Sequence, residues 1–342
     1  MSAYKHALVV GKFAPLHLGH QKLIDRAHDL ADDVTVIVWS NPDFADMPNE
    51  VRATWLRNLY PNADVLVGED GPSNSEPDDV QRAYTADLLA RNDRHPDVVV
   101  TCESYGPGLA AHLGIAHESV GDERFFDNLS GTMIRADVYA HRAMVPPVVY
   151  AHFVEKVVLL GAESTGKSTL AARLAEVFQT EHLQEYGREY YEQRGGELDL
   201  DDYVIIAREH RRREDEAAMR SSRYLFVDTN ALTTMFFSHY YNRSSLPELR
   251  DLADECAVRY RHVIVCDDDI PFEQDGWRDN EAWRARMQGM VLHDLAVRRI
   301  PFHVVRGSLD ERVGQVRSIL YGAKDGAHLP IASLGPRRVM KS

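Results

Sequence analysis

The sequence predicts an α/β protein built from two doubly wound parallel-sheet domains, residues 1–146 and 147–342. Three observations carry this expectation. Short apolar runs alternate with helix-like stretches, the order that builds parallel sheets. Each half opens with an apolar run, a glycine-bearing loop and a helical periodicity. Between the halves, the stretch from Met144 to Phe153, with Pro146-Pro147 at its centre, breaks the alternation. A length of 342 residues suits two domains, each able to bury its own core. With 44% hydrophobic and 27% charged residues, the chain is composed like an ordinary globular protein. No apolar run is long enough to span a membrane and no signal peptide follows Met1, so a cytoplasmic protein with no membrane partner is expected. Cys102, Cys256 and Cys266 are widely spaced and read as core residues. A formal net charge of -14 argues against nucleic acid as a partner, because phosphate backbones are held by clustered lysine and arginine.

In the first half the apolar run Ala7 to Val10 is a strand, and Gly11-Lys12-Phe13-Ala14-Pro15-Leu16-His17-Leu18-Gly19-His20 leads from it into a helix through Leu23, Ile24, Ala27 and Leu30. Imidazoles at a helix start can donate hydrogen bonds to a triphosphate without taking a proton, which suits nucleotidyl transfer. Val34 to Trp39, Asp64 to Gly68 and Asp97 to Cys102 are further strands, separated by helices over Glu50 to Leu59 and Val80 to Arg91. Arg52 and Trp55 lie on the first of these helices, where Val51, Trp55 and Leu59 also make a core stripe. Gly68 to Asp79 reads as a solvated loop without chemical signal. Glu103 and Tyr105 follow a strand end, the ligand-facing edge of such sheets. Ser130 is a helix cap that would expose the amides of Gly131 and Thr132 toward phosphate, with Arg135 in reach.

The second half begins with Val157 to Leu160 and then Gly161-Ala162-Glu163-Ser164-Thr165-Gly166-Lys167-Ser168-Thr169, followed by Leu170, Leu174 and Phe178 at helical spacing. This is the phosphate-loop pattern, in which Lys167 reaches the terminal phosphates of ATP and Ser168 ligates magnesium. His182 to Gln184 is a short strand ending at Glu185, and Tyr224 to Val227 is a strand ending in Asp228. An aspartate there orients magnesium or its water. Glu185 is the candidate base for the hydroxyl that receives the phosphoryl group, although these two carboxylates could exchange roles. The arginines of the helix Asp201 to Arg220 read as a solvated face. After the strand His262 to Cys266, a helix bearing Arg284 and Arg286 could close over the phosphoryl group. Phe302 to Val305 and Asp310 to Leu320 complete the unit, and Gly322 to Ser342 reads as an irregular tail.

Gly11 to His20, with Leu129-Ser130-Gly131-Thr132-Met133-Ile134-Arg135, resembles the two ATP motifs of the HxGH nucleotidyltransferase superfamily, a Rossmann-like fold. The phosphate loop, Glu185 to Glu189, Asp228-Thr229 and Asp275-Gly276-Trp277-Arg278 extend the resemblance over nearly the whole chain to the NadR family. That family joins a nicotinamide mononucleotide adenylyltransferase to a P-loop ribosylnicotinamide kinase. The resemblance implies ATP contacts from Gly11, Phe13, Gly19, Ser130, Thr132, Gly161, Glu163, Ser164, Thr165, Gly166, Lys167, Ser168 and Thr169, and catalytic roles for Lys12, His17, His20, Arg135, Lys167, Glu185 and Asp228. It implies substrate contacts from Arg52, Trp55, Glu103, Tyr105, Arg188, Asp275, Trp277 and Arg278. ATP is the co-substrate, Mg2+ the expected cofactor held by Ser168 and Asp228, and nicotinamide riboside and its mononucleotide the small-molecule partners. A homo-oligomer stays open. Longer family members carry a helix-turn-helix repressor domain ahead of the first strand; here that strand starts close to Met1, so a repressor role is not implied. A nucleotidyltransferase-kinase fusion acting on another phosphorylated metabolite, or a nucleotide-sensing module with a silent site, is the alternative reading.

Overall fold

The computed structural model describes residues 2–120, 129–271 and 281–322. The chain divides into two compact units, Met1–His152 and Phe153–Ser342. Each is an α/β layer structure around a five-stranded, all-parallel sheet.

The first unit runs β1 (Tyr4–Gly11), α1 (Leu18–Leu30), β2 (Ala31–Trp39), α2 (Asn49–Leu59), β3 (Asp64–Gly68), α3 (Asp78–Arg91), β4 (Val98–Thr101), α4 (Gly106–Leu113) and β5 (Ala116–Ser119). Two short helices follow, α5 (Gly131–Ala136) and α6 (Pro147–Tyr150). The strand order is β3-β2-β1-β4-β5. Central strands are apolar on both faces because helices cover both: Leu8, Ile37 and Val99 share a core with Leu88, Leu89 and Leu109. Each such residue contributes roughly 2 kcal/mol relative to exposure. The order reverses between β1 and β4, which opens a crevice beyond their carboxyl ends, where Gly11 to Phe13 and Cys102 to Tyr105 lie. β5 is a strand that the sequence pattern does not announce. Its residues Ala116-His117-Glu118-Ser119 are half-buried or exposed, so no apolar run marks this edge.

The second unit runs β6 (Glu155–Leu160), α7 (Lys167–Phe178), β7 (His182–Leu183), α8 (Tyr186–Gln193), α9 (Leu200–Arg220), β8 (Tyr224–Asp228), α10 (Ala231–Asn242), α11 (Pro247–Arg259), β9 (His262–Cys266), α12 (Glu281–Val297), β10 (His303–Val305) and α13 (Leu309–Gly322). Its order is β10-β9-β6-β8-β7, with β6 at the centre and the phosphate loop at its carboxyl end. Leu170, Ala171, Leu174 and Ala175 turn one face of α7 onto Val157, Leu159, Phe226 and Ile264 of the sheet. On α9 the arginines are paired, Arg211 with Glu255, Arg212 with Glu209 and Glu216, and Arg213 with Glu189 and Glu209. Most of the tail from Gly322 onward lies outside the described residues, and no described helix is long and apolar enough to cross a membrane.

Candidate active sites

In the first unit the crevice at the sheet's reversal is a cavity of about 540 Å³, lined by Gly11, Lys12, Phe13, His17, Gly19, His20, Glu103, Tyr105, Ser130, Thr132 and Arg135 among others. Residues from β1, α1, the end of β4 and α5 therefore meet there. His17 and His20 stack with ring centroids 3.8 Å apart, and Phe13 meets His20 edge-on at 4.9 Å. The close seating explains the glycine between the histidines, since a Cβ on Gly19 would come within 3.1 Å of the His17 ring. Burial pushes the His17 imidazole down to about 4, and burial together with the neighbouring His17 holds His20 well below the usual histidine range. Both rings are neutral at pH 7. The His17 amide donates to Nδ1 of His20 at 3.4 Å, so the proton of a neutral His20 sits on Nε2, leaving that nitrogen as donor. Phe13 has a φ of 49°, in the left-handed region, local strain of the kind held where function fixes the backbone.

Ser130 caps α5 by accepting from the Met133 amide at 3.2 Å. Arg135 donates to the Ala14 carbonyl and, at 2.9 Å, to the Thr132 hydroxyl, and its guanidinium lies 4.8 Å from the centroid of Phe44, another lining residue. Tyr105 presents its ring to the cavity while its hydroxyl donates to the Val10 carbonyl at 2.7 Å. The loop read as chemically silent contributes to the wall, for Asn74 and Asp78 line the cavity beside Gln81 and Arg82. No short motif marks them.

Arg52 and Trp55 do not line the cavity. Arg52 is 0% exposed and donates to the carbonyls of Met47 and Trp39, both at 2.9 Å, to that of Lys12, and to Asn49 Oδ1. Its guanidinium ties the turn after β1 to the end of β2, so it shapes the site from behind. Trp55 is buried in the core, with His152 edge-on at 5.3 Å. The helix-stripe reading of Trp55 is the one its burial supports.

In the second unit, Gly161 to Thr169 curls from β6 into α7. Gly161 has a φ of 135°, and a Cβ there would stand 2.7 Å from the Cys266 carbonyl, so conformation and space both demand glycine. Lys167 Nζ and Thr165 Oγ1 each donate to the Ala162 carbonyl at 2.8 Å. Glu163 and Ser164 are half-buried on the loop, whereas Ser168 and Thr169 are exposed at the start of α7. From α13, Arg312 donates to the Thr165 and Asp267 carbonyls and to Asp269, bracing the loop from below. That arginine carries no motif and was missed in the sequence.

The Ser168 hydroxyl donates to Asp228 Oδ2, while Oδ1 of that 1%-exposed aspartate is buried with no hydrogen-bond partner among the described residues. Thr229, next along, has a φ of 64°, an uncommon conformation for a β-branched residue. Glu185 stands at the N-cap of α8. Burial, reinforced by the Asp228 and Glu163 charges, pushes its carboxyl up to about 7, against the opposing pull of Lys167 and Arg188. Arg188 itself is exposed on α8. Arg284 is 4% exposed and donates to the Ile270 carbonyl at 2.8 Å, so it anchors α12 and is not an arginine free to close; Arg286 is exposed. Asp275, Trp277 and Arg278 lie outside the described residues.

Fold and site together define a nucleotide-handling transferase with a nucleotidyltransferase-like domain and a P-loop kinase-like domain in one chain. Residues 8–136 match the cytidylyltransferase-like family model and 156–312 that of the AAA domain. The trifunctional NAD biosynthesis/regulator protein NadR of Salmonella typhimurium strain LT2 is 31% identical over 89% of this chain and 80% of that protein. Its counterpart in Escherichia coli K12 is 31% identical over 86% and 77%. The chain belongs to the NadR family. A crystal structure of NadR protein in complex with NR shares the fold, with a TM-score of 0.67 and 23% identity over 97% of this chain and 98% of that one. A second, in complex with NAD and AMP-PNP, has a TM-score of 0.66 and 22% identity over 97% and 99%.

Proposed function

We propose that this protein makes NAD in two steps, phosphorylating nicotinamide riboside with ATP and then adenylating the resulting mononucleotide with a second ATP. The observation that carries the reading is that one chain of the NadR family holds a neutral histidine pair with Lys12, Thr132 and Arg135 on one cavity, and a phosphate loop facing two carboxylates in the other unit.

In the kinase step the riboside 5'-hydroxyl attacks the γ-phosphorus, its proton passes to Glu185, and the bond to the β-phosphate oxygen breaks to release ADP. Lys167 leaves the Ala162 carbonyl to meet the phosphates. The structure favours Glu185 as base because Asp228 is already engaged with Ser168 and Glu185 has the raised proton affinity a base needs. Ser168 and Asp228 would hold Mg2+, and the unpartnered Oδ1 of Asp228 fits that role. Bound there, the ion would draw charge from the phosphates. In the second step a phosphate oxygen of the mononucleotide attacks the α-phosphorus of ATP and pyrophosphate leaves. That nucleophile is ionised at neutral pH, so His17 and His20 serve as donors to developing charge and not as bases. The substrate residues of the kinase half are proposed to include Arg188, Asp275, Trp277 and Arg278.

The test supplies nicotinamide riboside, ATP and magnesium and follows products by chromatography across pH. Mononucleotide and then NAD are expected. Glu185 acts as its carboxylate, present above its raised pKa and lost below it, so kcat/KM for the riboside should fall as pH drops through about 7. Glu185→Gln should be slow at every pH and lack that limb. No phosphorylated product at any pH would refute the kinase assignment.

A further inference from the structure

The phosphate loop is gripped from a direction no motif predicts. Gln288 on α12 is 1% exposed, and its side-chain amide spans two backbone groups. Oε1 accepts from the Ala162 amide at 2.8 Å and Nε2 donates to the Cys266 carbonyl at 3.0 Å. Only one orientation of the amide satisfies both partners, and a buried amide left without them would be costly. Trp283 and Met287, from the same helix, pack on the methyl group of Ala162 in a small buried cluster. The space beside Gly161 is filled by the Cys266 carbonyl and by Gln288 itself, 2.7 and 3.4 Å from where a Cβ would stand. α12 therefore fixes the first peptides of the loop against the end of β9.

The consequence runs through Ala162. With its amide held by Gln288, that group is withdrawn from the anion cradle, and the residue's carbonyl is left to receive Lys167 and Thr165. Resting Lys167 on a fixed carbonyl at the mouth of the loop confines its ammonium to one position beside the cradle, so that only a short movement off that carbonyl is needed when ATP arrives. We propose that Gln288 is a positioning residue for the phosphoryl-transfer site, setting the Gly161–Ala162 backbone and through it the resting place of Lys167. The ligand it serves is the triphosphate of ATP. This rests on the kinase reading for the identity of the acceptor but not for the binding of ATP.

The experiment uses the full chain. ATP titrations by calorimetry on wild type, Lys167→Ala and Gln288→Met identify the binding event that depends on Lys167. Gln288→Met keeps volume and removes both hydrogen bonds, and is expected to weaken that event about tenfold. KM for ATP in riboside phosphorylation should rise by a similar factor, with KM for the riboside and the rate of adenylyl transfer little changed. Gln288→Asn, too short to span both partners, should behave alike and serves if the methionine variant does not fold. Gly289→Ala, on the exposed side of the same helix with open space where the Cβ would stand, should keep wild-type ATP affinity. Wild-type affinity in a folded Gln288 variant would overturn the proposal, as would an equal loss of riboside and ATP affinity. A wild-type protein that binds ATP but does not phosphorylate the riboside would refute the acceptor assignment, and the titrations would still decide the role of Gln288.

Discussion

Replacing Lys167 by alanine is expected to lower phosphorylation of nicotinamide riboside by on the order of a hundredfold or more, while adenylyl transfer to supplied mononucleotide continues near its wild-type rate. Lys167 is the cation that the loop holds ready on the Ala162 carbonyl. A charge that follows the transferring phosphoryl group into a water-poor site acts most on the transition state, where the phosphoryl oxygens need it most. The described residues that line the adenylyl cavity belong to the first unit, whereas Lys167 belongs to the second. Initial rates of the two partial reactions, measured separately, check this. Parallel loss of both would contradict two separate sites.

Replacing His20 by alanine should cost adenylyl transfer on the order of a hundredfold or more, the scale on which a single preorganised donor acts. His20 is stacked on His17, flanked by Phe13, and fixed in tautomer by the His17 amide, so its Nε2 proton is aimed without cost at the moment of reaction. Its neutral state matters. Burial and the adjacent imidazole keep it from charging, so it donates without becoming a competing acid at neutral pH. Single-turnover rates with saturating ATP and mononucleotide separate this effect from binding. An unchanged rate would reduce His20 to a structural residue, and retained binding of the mononucleotide by the variant reports whether the first unit has folded.

The features legible in the sequence are those whose chemistry is local. The phosphate loop, the histidine pair around Gly19 and the Ser130 cap each need residues a few positions apart, and Asp228 is announced by an apolar run breaking at a carboxylate, whereas Glu185 follows only the two-residue strand His182–Leu183. Arg52 shows the opposite case. Its role is decided by three carbonyls that folding brings to it from the turn after β1, the end of β2 and the loop before α2, so the helix that carries it reveals only an arginine near an aromatic residue. Gln288 and Arg312 brace the loop from 126 and 147 residues away, with no composition or spacing to mark them. The edge strand β5 was hidden for another reason: half-buried strands at a sheet edge need no apolar run.

The proposed division of labour between the two units puts attack at the γ-phosphorus in one and at the α-phosphorus in the other. Its most direct test follows label from ATP into products with nicotinamide riboside as the only acceptor supplied. Among the pyridine-containing products, label on the γ-phosphate should appear first in the mononucleotide and then in NAD, while label on the α-phosphate should appear only in NAD, the remaining α-label staying in ADP, with pyrophosphate released in an amount equal to the NAD formed. Transfer of α-label into the mononucleotide, or accumulation of γ-labelled mononucleotide with no NAD formed at saturating ATP, would contradict the account.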